Sequence, residues 1–143
     1  MKKFILGISL LLSSGLSFGQ ASFKFSDKSF PSGSVMTRRN ISFTDDCHRG
    51  LKPSKTLDSL LKFLVANPNV ELEIGGHIGK PCATCKGCSQ SDEGSKAIRA
   101  WLVKKGIDGG RLFSKGYGQT APINKDGGLK AVKINERITF KIV

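Results

Sequence analysis

The chain has 143 residues, 38% of them hydrophobic, with 23 Lys and Arg against 11 Asp and Glu for a net charge of +12. That length suits one domain around one core. The positive balance favours anionic partners, but the basic residues are scattered rather than clustered, which fits a solvated basic surface as well as a specific anion site.

The first residues read Met1-Lys2-Lys3, then an apolar run from Phe4 to Leu12, then small and polar residues up to Ser17-Phe18-Gly19. This is the layout of a secretory signal peptide over 1–19, with cleavage before Gln20. The apolar run is too short to span a bilayer, and no cysteine follows the cleavage region to carry a lipid. Without Lys2 and Lys3 the charge falls from +12 by two, to +10. An exported chain is not expected to meet nucleic acid.

Residues 20–33 alternate weakly and are broken by Pro31 and Gly33, so they read as an N-terminal arm able to add one edge strand, ahead of a domain over 34–143. Val35 to Phe43 reads as the first core strand, ending in the polar loop Thr44 to Gly50. Pro53-Ser54 opens a helix whose buried stripe is expected at Leu57, Leu60, Leu61, Leu64 and Val65, and Asn67-Pro68 closes it. Val70, Leu72 and Ile74 alternate with Glu71 and Glu73 as a second strand. A second helix begins near Ser91-Asp92-Glu93, buries Ala97, Ile98, Trp101 and Leu102, and ends at Lys104-Lys105-Gly106. Gly94 in its first turn costs about 1 kcal/mol against alanine, so something other than propensity must account for it. Leu112 to Tyr117 and Ile134 to Ile142 complete the strands. Helical connections between the early strands imply parallel pairing, and a small sheet with helices on one face.

This order and its signposts resemble the OmpA-like peptidoglycan-associating domain over about residues 34 to 143. The resemblance rests on Asn40-Ile41-Ser42-Phe43, Leu51-Lys52-Pro53 leading to Leu57 and Leu60, and Glu73-Ile74-Gly75-Gly76-His77. It continues through Lys105-Gly106-Ile107-Asp108, Arg111-Leu112, Gly116-Tyr117-Gly118, Pro122-Ile123 and Asn135-Glu136-Arg137-Ile138. It implies an α+β fold, a β-α-β-α-β-β sandwich with a mixed sheet and helices packed on one face. It also implies a non-enzymatic cell-envelope module, periplasmic and associated with the outer membrane or cell wall.

The family reads the diamino acid of the peptidoglycan stem peptide with an aspartate and an arginine. Placed without gaps, Gly76 and His77 match, but Ile78 takes the threonine position and Gly79 the aspartate. Gly87 takes the asparagine position, Gln90-Ser91 the Leu-Ser pair and Gly94 the arginine. Charge-assisted bonds are worth about 1.5 to 3 kcal/mol each, so losing both predicts peptidoglycan association weakened or retuned by a hundredfold or more. Arg99 lies about 140° further round the helix and faces elsewhere. The ligand-binding candidates carried over are His77, Gly79, Ser91, Gly94, Asn135 and Arg137. The partner so implied is a peptidoglycan stem peptide or another anionic envelope component, with an outer-membrane or periplasmic protein as a further option.

Cys47, Cys82, Cys85 and Cys88 are the disulfide candidates, since the compartment is oxidising and the chain small, and three connectivities are open. A bond from Cys47 to the Gly76–Ser91 loop would staple two loops at the C-terminal ends of strands. The rival is a zinc site made by Cys82, Cys85, Cys88 and Cys47, with His48 or His77 as other ligands. An iron-sulfur motif lacks its fourth cysteine and proline, and a redox-active Cys-x-x-Cys would need a lowered thiol pKa at the helix start. The expectation is therefore no cofactor, with zinc as the alternative. No nucleophile, base and acid set is present to suggest an enzyme.

Overall fold

The computed structural model describes residues 20–81, 83 and 89–143. The expected signal peptide at 1–19 and Cys82, Cys85 and Cys88 lie outside the described residues. Besides the 3-10 turn Gly109–Arg111, seven elements follow in order among the described residues: β1 (Val35–Arg38), α1 (Lys55–Ala66), β2 (Leu72–His77), α2 (Gln90–Lys104), β3 (Leu112–Gly118), α3 (Gly128–Asn135) and β4 (Arg137–Ile142).

Helix α1 begins where Ser54 leaves extended backbone and its Oγ accepts the Leu57 N–H at 3.2 Å, the cap that the Pro53-Ser54 pair signals. Its far end is held from a distance. The Arg111 guanidinium donates to the carbonyls of Leu64 at 3.1 Å, Asn67 at 2.7 Å and Val70 at 2.9 Å, satisfying groups that the helix leaves without partners. The expected stripe needs one correction. Leu57, Leu60 and Leu64 are buried as read and Leu61 partly so, but Val65 is 66% exposed and Phe63 takes the place inside. The helix is rolled toward Phe63 because the N-terminal arm brings Phe23 and Phe30 against it, at ring centroid distances of 5.7 and 5.1 Å.

The sheet runs β1-β4-β2-β3. β2 and β3 are parallel, and β4 is antiparallel to both β1 and β2. The early strands do point the same way, but β1 and β2 are not neighbours, because β4 inserts between them. With Ile138, Phe140 and Ile142 all buried, β4 is the strand best able to occupy the middle of the sheet. One face carries Leu72, Ile74, Phe140 and Ile142, which join Leu57, Leu60, Leu64, Ile98 and Leu102 of the two long helices in a single core. The architecture is thus the expected α+β mixed sheet with helices on one side.

Two boundaries differ from the sequence reading. Val35 to Phe43 is a strand only to Arg38, and Phe43 instead forms an isolated bridge to Leu51 across the Thr44–Gly50 loop. The strand expected from Ile134 starts at Arg137, since Ile134 and Asn135 end α3. That eight-residue helix has a short apolar signal, with Ala131 and Asn135, four apart, as its buried residues. The arm contributes a single parallel bridge, Ser22 to Val35, rather than a strand.

Candidate functional site

A cleft of about 650 Å³ opens where β1 and β2 end and β4 begins, walled by the first turn of α2 and by the Thr44–Gly50 loop. Its lining includes five basic residues, Arg38, Arg39, Lys52, Lys133 and Arg137, against the acidic Asp45, Asp46 and Glu136. Of the six candidates named from the sequence, His77, Ser91 and Arg137 line it, while Gly79, Gly94 and Asn135 do not.

Gly79 and Gly94, the glycines expected at the reader positions, are each approached closely by another part of the fold. A Cβ at Gly94 would meet Phe43 Cζ at 3.1 Å and the Cβ and Nδ1 of His48 at 3.4 Å. Phe43 and His48 are stacked on each other, centroids 4.2 Å apart and 11° from parallel, so the loop after β1 fills the space that a side chain at 94 would enter. A side chain in the first turn of α2 would press on this stack. A Cβ at Gly79 would lie 2.0 Å from the backbone oxygen of Val132, so α3 closes that position with main chain. Gly76 is tighter still, with the Ser91 oxygen 1.9 Å from its would-be Cβ, and this contact sets α2 directly onto β2.

The remaining candidates are bound into the framework. Ser91 is 3% exposed and its Oγ accepts the Gly118 N–H at 3.0 Å. The Asn135 Oδ1 accepts the N–H groups of Ile123 and Asn124, both at 2.9 Å, and its Nδ2 donates to the Asn124 carbonyl. Arg137 is 7% exposed and donates to the carbonyls of Asn135 and Ala121, both at 2.8 Å. Burial, and then the nearby Arg39, pushes the Arg137 pKa below its ordinary value. Arg39 itself donates to the Ile134 carbonyl, so both arginines grip the negative end of α3.

His77 follows Gly76 and therefore alternates to the sheet face away from α2. Its ring lies parallel to Tyr117, centroids 4.8 Å apart, and its Nε2 is 3.1 Å from Thr139 Oγ1, while Nδ1 is buried without a partner. Burial and then the Arg137 charge push its pKa down to about 4, opposed in part by Glu73, so the ring is neutral near pH 7. Tyr117 donates to Glu73 Oε1 at 2.6 Å, which with burial raises the phenol to about 12.

On α2, Asp92 pairs with Lys96 at 2.5 Å, and Arg99 turns away from the cleft to hold the carbonyls of Leu112 and Gly109. No cysteine among the described residues is free, and Cys47 is disulfide-bonded. The Gln90 side chain ties the Thr44–Gly50 loop to α2 by donating to the Asp46 carbonyl at 2.8 Å. Among the described residues no three His, Cys, Asp or Glu gather in a way that could hold a metal ion. The other cysteines of the zinc alternative lie outside them.

The architecture has counterparts among solved structures. The cell wall anchor of the T6SS from Pseudomonas aeruginosa superposes with a TM-score of 0.64 at 18% identity, covering 76% of this chain and 79% of that one. The OmpA-like domain of FopA1 from Francisella tularensis gives 0.53 at 15% identity, covering 76% and 73%. This chain has the OmpA-like fold. The peptidoglycan-associated lipoprotein from Burkholderia pseudomallei shares that fold too, with a TM-score of 0.57 at 13% identity over 71% of this chain and 86% of that one. No family model matches the sequence, and no curated protein matches it either.

Sequence reasoning named His48 only as an alternative zinc ligand and did not name Phe43 as a site residue. Nothing in the local pattern signals that the Thr44–Gly50 loop crosses to α2, although Gly94 was a trace of it. Arg39 was missed for the same reason, since its partner at the end of α3 is 95 residues away.

Proposed function

We propose that this chain is a non-enzymatic binding module of the cell envelope, exported by its N-terminal segment, that takes an anionic peptidoglycan stem peptide in the cleft between β1, β2 and α2. The observation that carries this is the cleft itself. It lies at the C-terminal ends of β1 and β2 in an OmpA-like fold and keeps an excess of basic groups, Arg39 and Arg137 among them. Relatives in fold include a cell wall anchor and a peptidoglycan-associated lipoprotein. In this reading binding is retuned rather than copied, which is supported by the close approach of Val132 to Gly79 and of Phe43 to Gly94. Electrostatic attraction to carboxylates is screened by salt. Residues 20–143 should therefore co-sediment with purified sacculi at low ionic strength and be released as salt rises; no retention at low salt rejects wall binding.

A second reading is favoured by the disulfide at Cys47, in the loop whose Asp46 carbonyl accepts from Gln90 of α2. With a partner among Cys82, Cys85 and Cys88, the bond makes a rigid face for another envelope protein. A stoichiometric partner that stays bound after wall digestion supports this. Intact mass lighter than the reduced chain by the four hydrogens of two disulfides, with no metal present, rules out the zinc alternative.

A further inference from the structure

We propose that Gln20, as the first residue of the processed chain, closes into pyroglutamate, and that the resulting lactam is seated in a hollow on the sheet face opposite the helices. This rests on the reading that the N-terminal segment exports the chain and is cut off before Gln20; it does not depend on what the cleft binds.

The new terminus would not trail from the fold. The Ala21 carbonyl accepts the Val35 N–H at 2.7 Å, Ser22 forms a parallel bridge to Val35, and Phe23 is buried, so the chain is held right up to residue 21. Gln20 itself lines a hollow of about 210 Å³ together with Glu73, Tyr117, Arg137, Thr139 and Lys141. These residues stand at alternate positions of β2, β3 and β4, on the side away from Leu72, Ile74, Phe140 and Ile142, which face the helices. The hollow favours an uncharged terminus. An α-ammonium at Gln20 would add a third positive charge to a lining that already holds Arg137 and Lys141. The carboxylate in that lining, Glu73, already accepts the Tyr117 hydroxyl at 2.6 Å. A lactam carries no charge, and its N–H and carbonyl match the mixed acceptors and donors of Glu73, Thr139 and Lys141.

The reaction needs no oxidant and no metal. The unprotonated α-amine nitrogen of Gln20 attacks Cδ of its own side-chain amide; the N–Cδ bond forms, the Cδ–Nε2 bond breaks, and ammonia leaves with the proton that the amine gives up. Both reacting groups belong to one residue, so no second molecule has to be brought to the amide. The product begins without a free amine, which removes the terminal charge and protects the arm that carries Phe23 and Phe30 from aminopeptidases.

The test expresses the full chain in a host that exports it, then measures the intact mass of the reduced product and sequences its N-terminal peptide by fragmentation. The expected product begins at residue 20, is lighter than residues 20–143 by one ammonia, and releases nothing to an aminopeptidase that requires a free amine. A product that begins at residue 20 with its full mass and a free amine overturns the inference and leaves the cleavage reading standing. A product that begins elsewhere, or keeps 1–19, rejects the cleavage reading and the inference with it. The seat is tested apart from export, on residues 20–143 released from a cleavable fusion so that Gln20 comes first, with and without treatment by a glutaminyl cyclase. Ring closure should slow hydrogen exchange at the Val35 amide about fivefold, the effect of about one net hydrogen bond tying down the neighbouring Ala21. Equal exchange in the open and closed forms means that the hollow does not hold the ring, and overturns the seat.

Discussion

His77 gives the fold a pH dependence that can be worked out from its surroundings. In the unfolded chain an imidazole takes up its proton as pH falls through about 6.5, but in the folded protein His77 resists until about 4, because burial and Arg137 both oppose the charge. The unfolded state therefore binds the extra proton first. The stability is fully present above pH 6.5 and drains away between 6.5 and 4. Linkage gives a loss of about 2 kcal/mol between pH 7 and pH 5, approaching about 3 kcal/mol at pH 4 and below. With a urea m-value of about 2 kcal/mol/M, the first figure is a fall in midpoint of about 1 M. His77→Gln removes the titrating ring and keeps an amide that can reach Thr139. It should be less stable than the wild type at pH 7, because the Tyr117 stack is lost, yet change far less on going to pH 5. Urea titrations of both proteins at the two pH values, disulfides intact, measure the difference. If His77→Gln loses as much between pH 7 and 5 as the wild type does, the buried neutral imidazole is not the source.

Arg111→Lys should cost about 2 to 4 kcal/mol in the same urea assay, because a single ammonium cannot serve the carbonyls of Leu64, Asn67 and Val70 from one planar fork; an unchanged midpoint would sink that account of the α1 terminus. Gly79→Asp restores the family's acid in sequence but drives its Cβ into the Val132 backbone. It should lower stability by about 1 to 3 kcal/mol and leave sacculus binding no stronger; a stable variant that binds more tightly would mean α3 yields easily.

The parts of the fold that were legible in the sequence are those whose signals are local. The Ser54 cap, the Asn67-Pro68 stop and the alternation through Leu72 and Ile74 each fix an element from within a few residues. What escaped was set by distant chain. Val65 is turned out because Phe23 and Phe30, more than thirty residues earlier, claim Phe63. The place of β4 between β1 and β2 depends on the competition among strands for the middle of the sheet, which no single strand reveals. At the site, the motif led to an expectation of two charges that this chain lacks, but gave no sign of what lies against Gly79 and Gly94. A substitution read along a motif records an absence, while the Phe43–His48 stack and the Val132 carbonyl are contacts across the fold.

The N-terminal arm has a consequence for where this module begins. Phe23 is 4% exposed, it meets Phe25, Phe30 and Phe63, and the Val35 N–H donates to the Ala21 carbonyl at 2.7 Å. The arm is thus a plug for one end of the core rather than a tether that leads to it. A portable version of this domain, grafted behind another protein, has to carry its plug with it from Ala21 onward. Cut at Ser34, where the motifs start, it would present the rings of Phe63 and Phe140 to water and offer neighbours a sticky end.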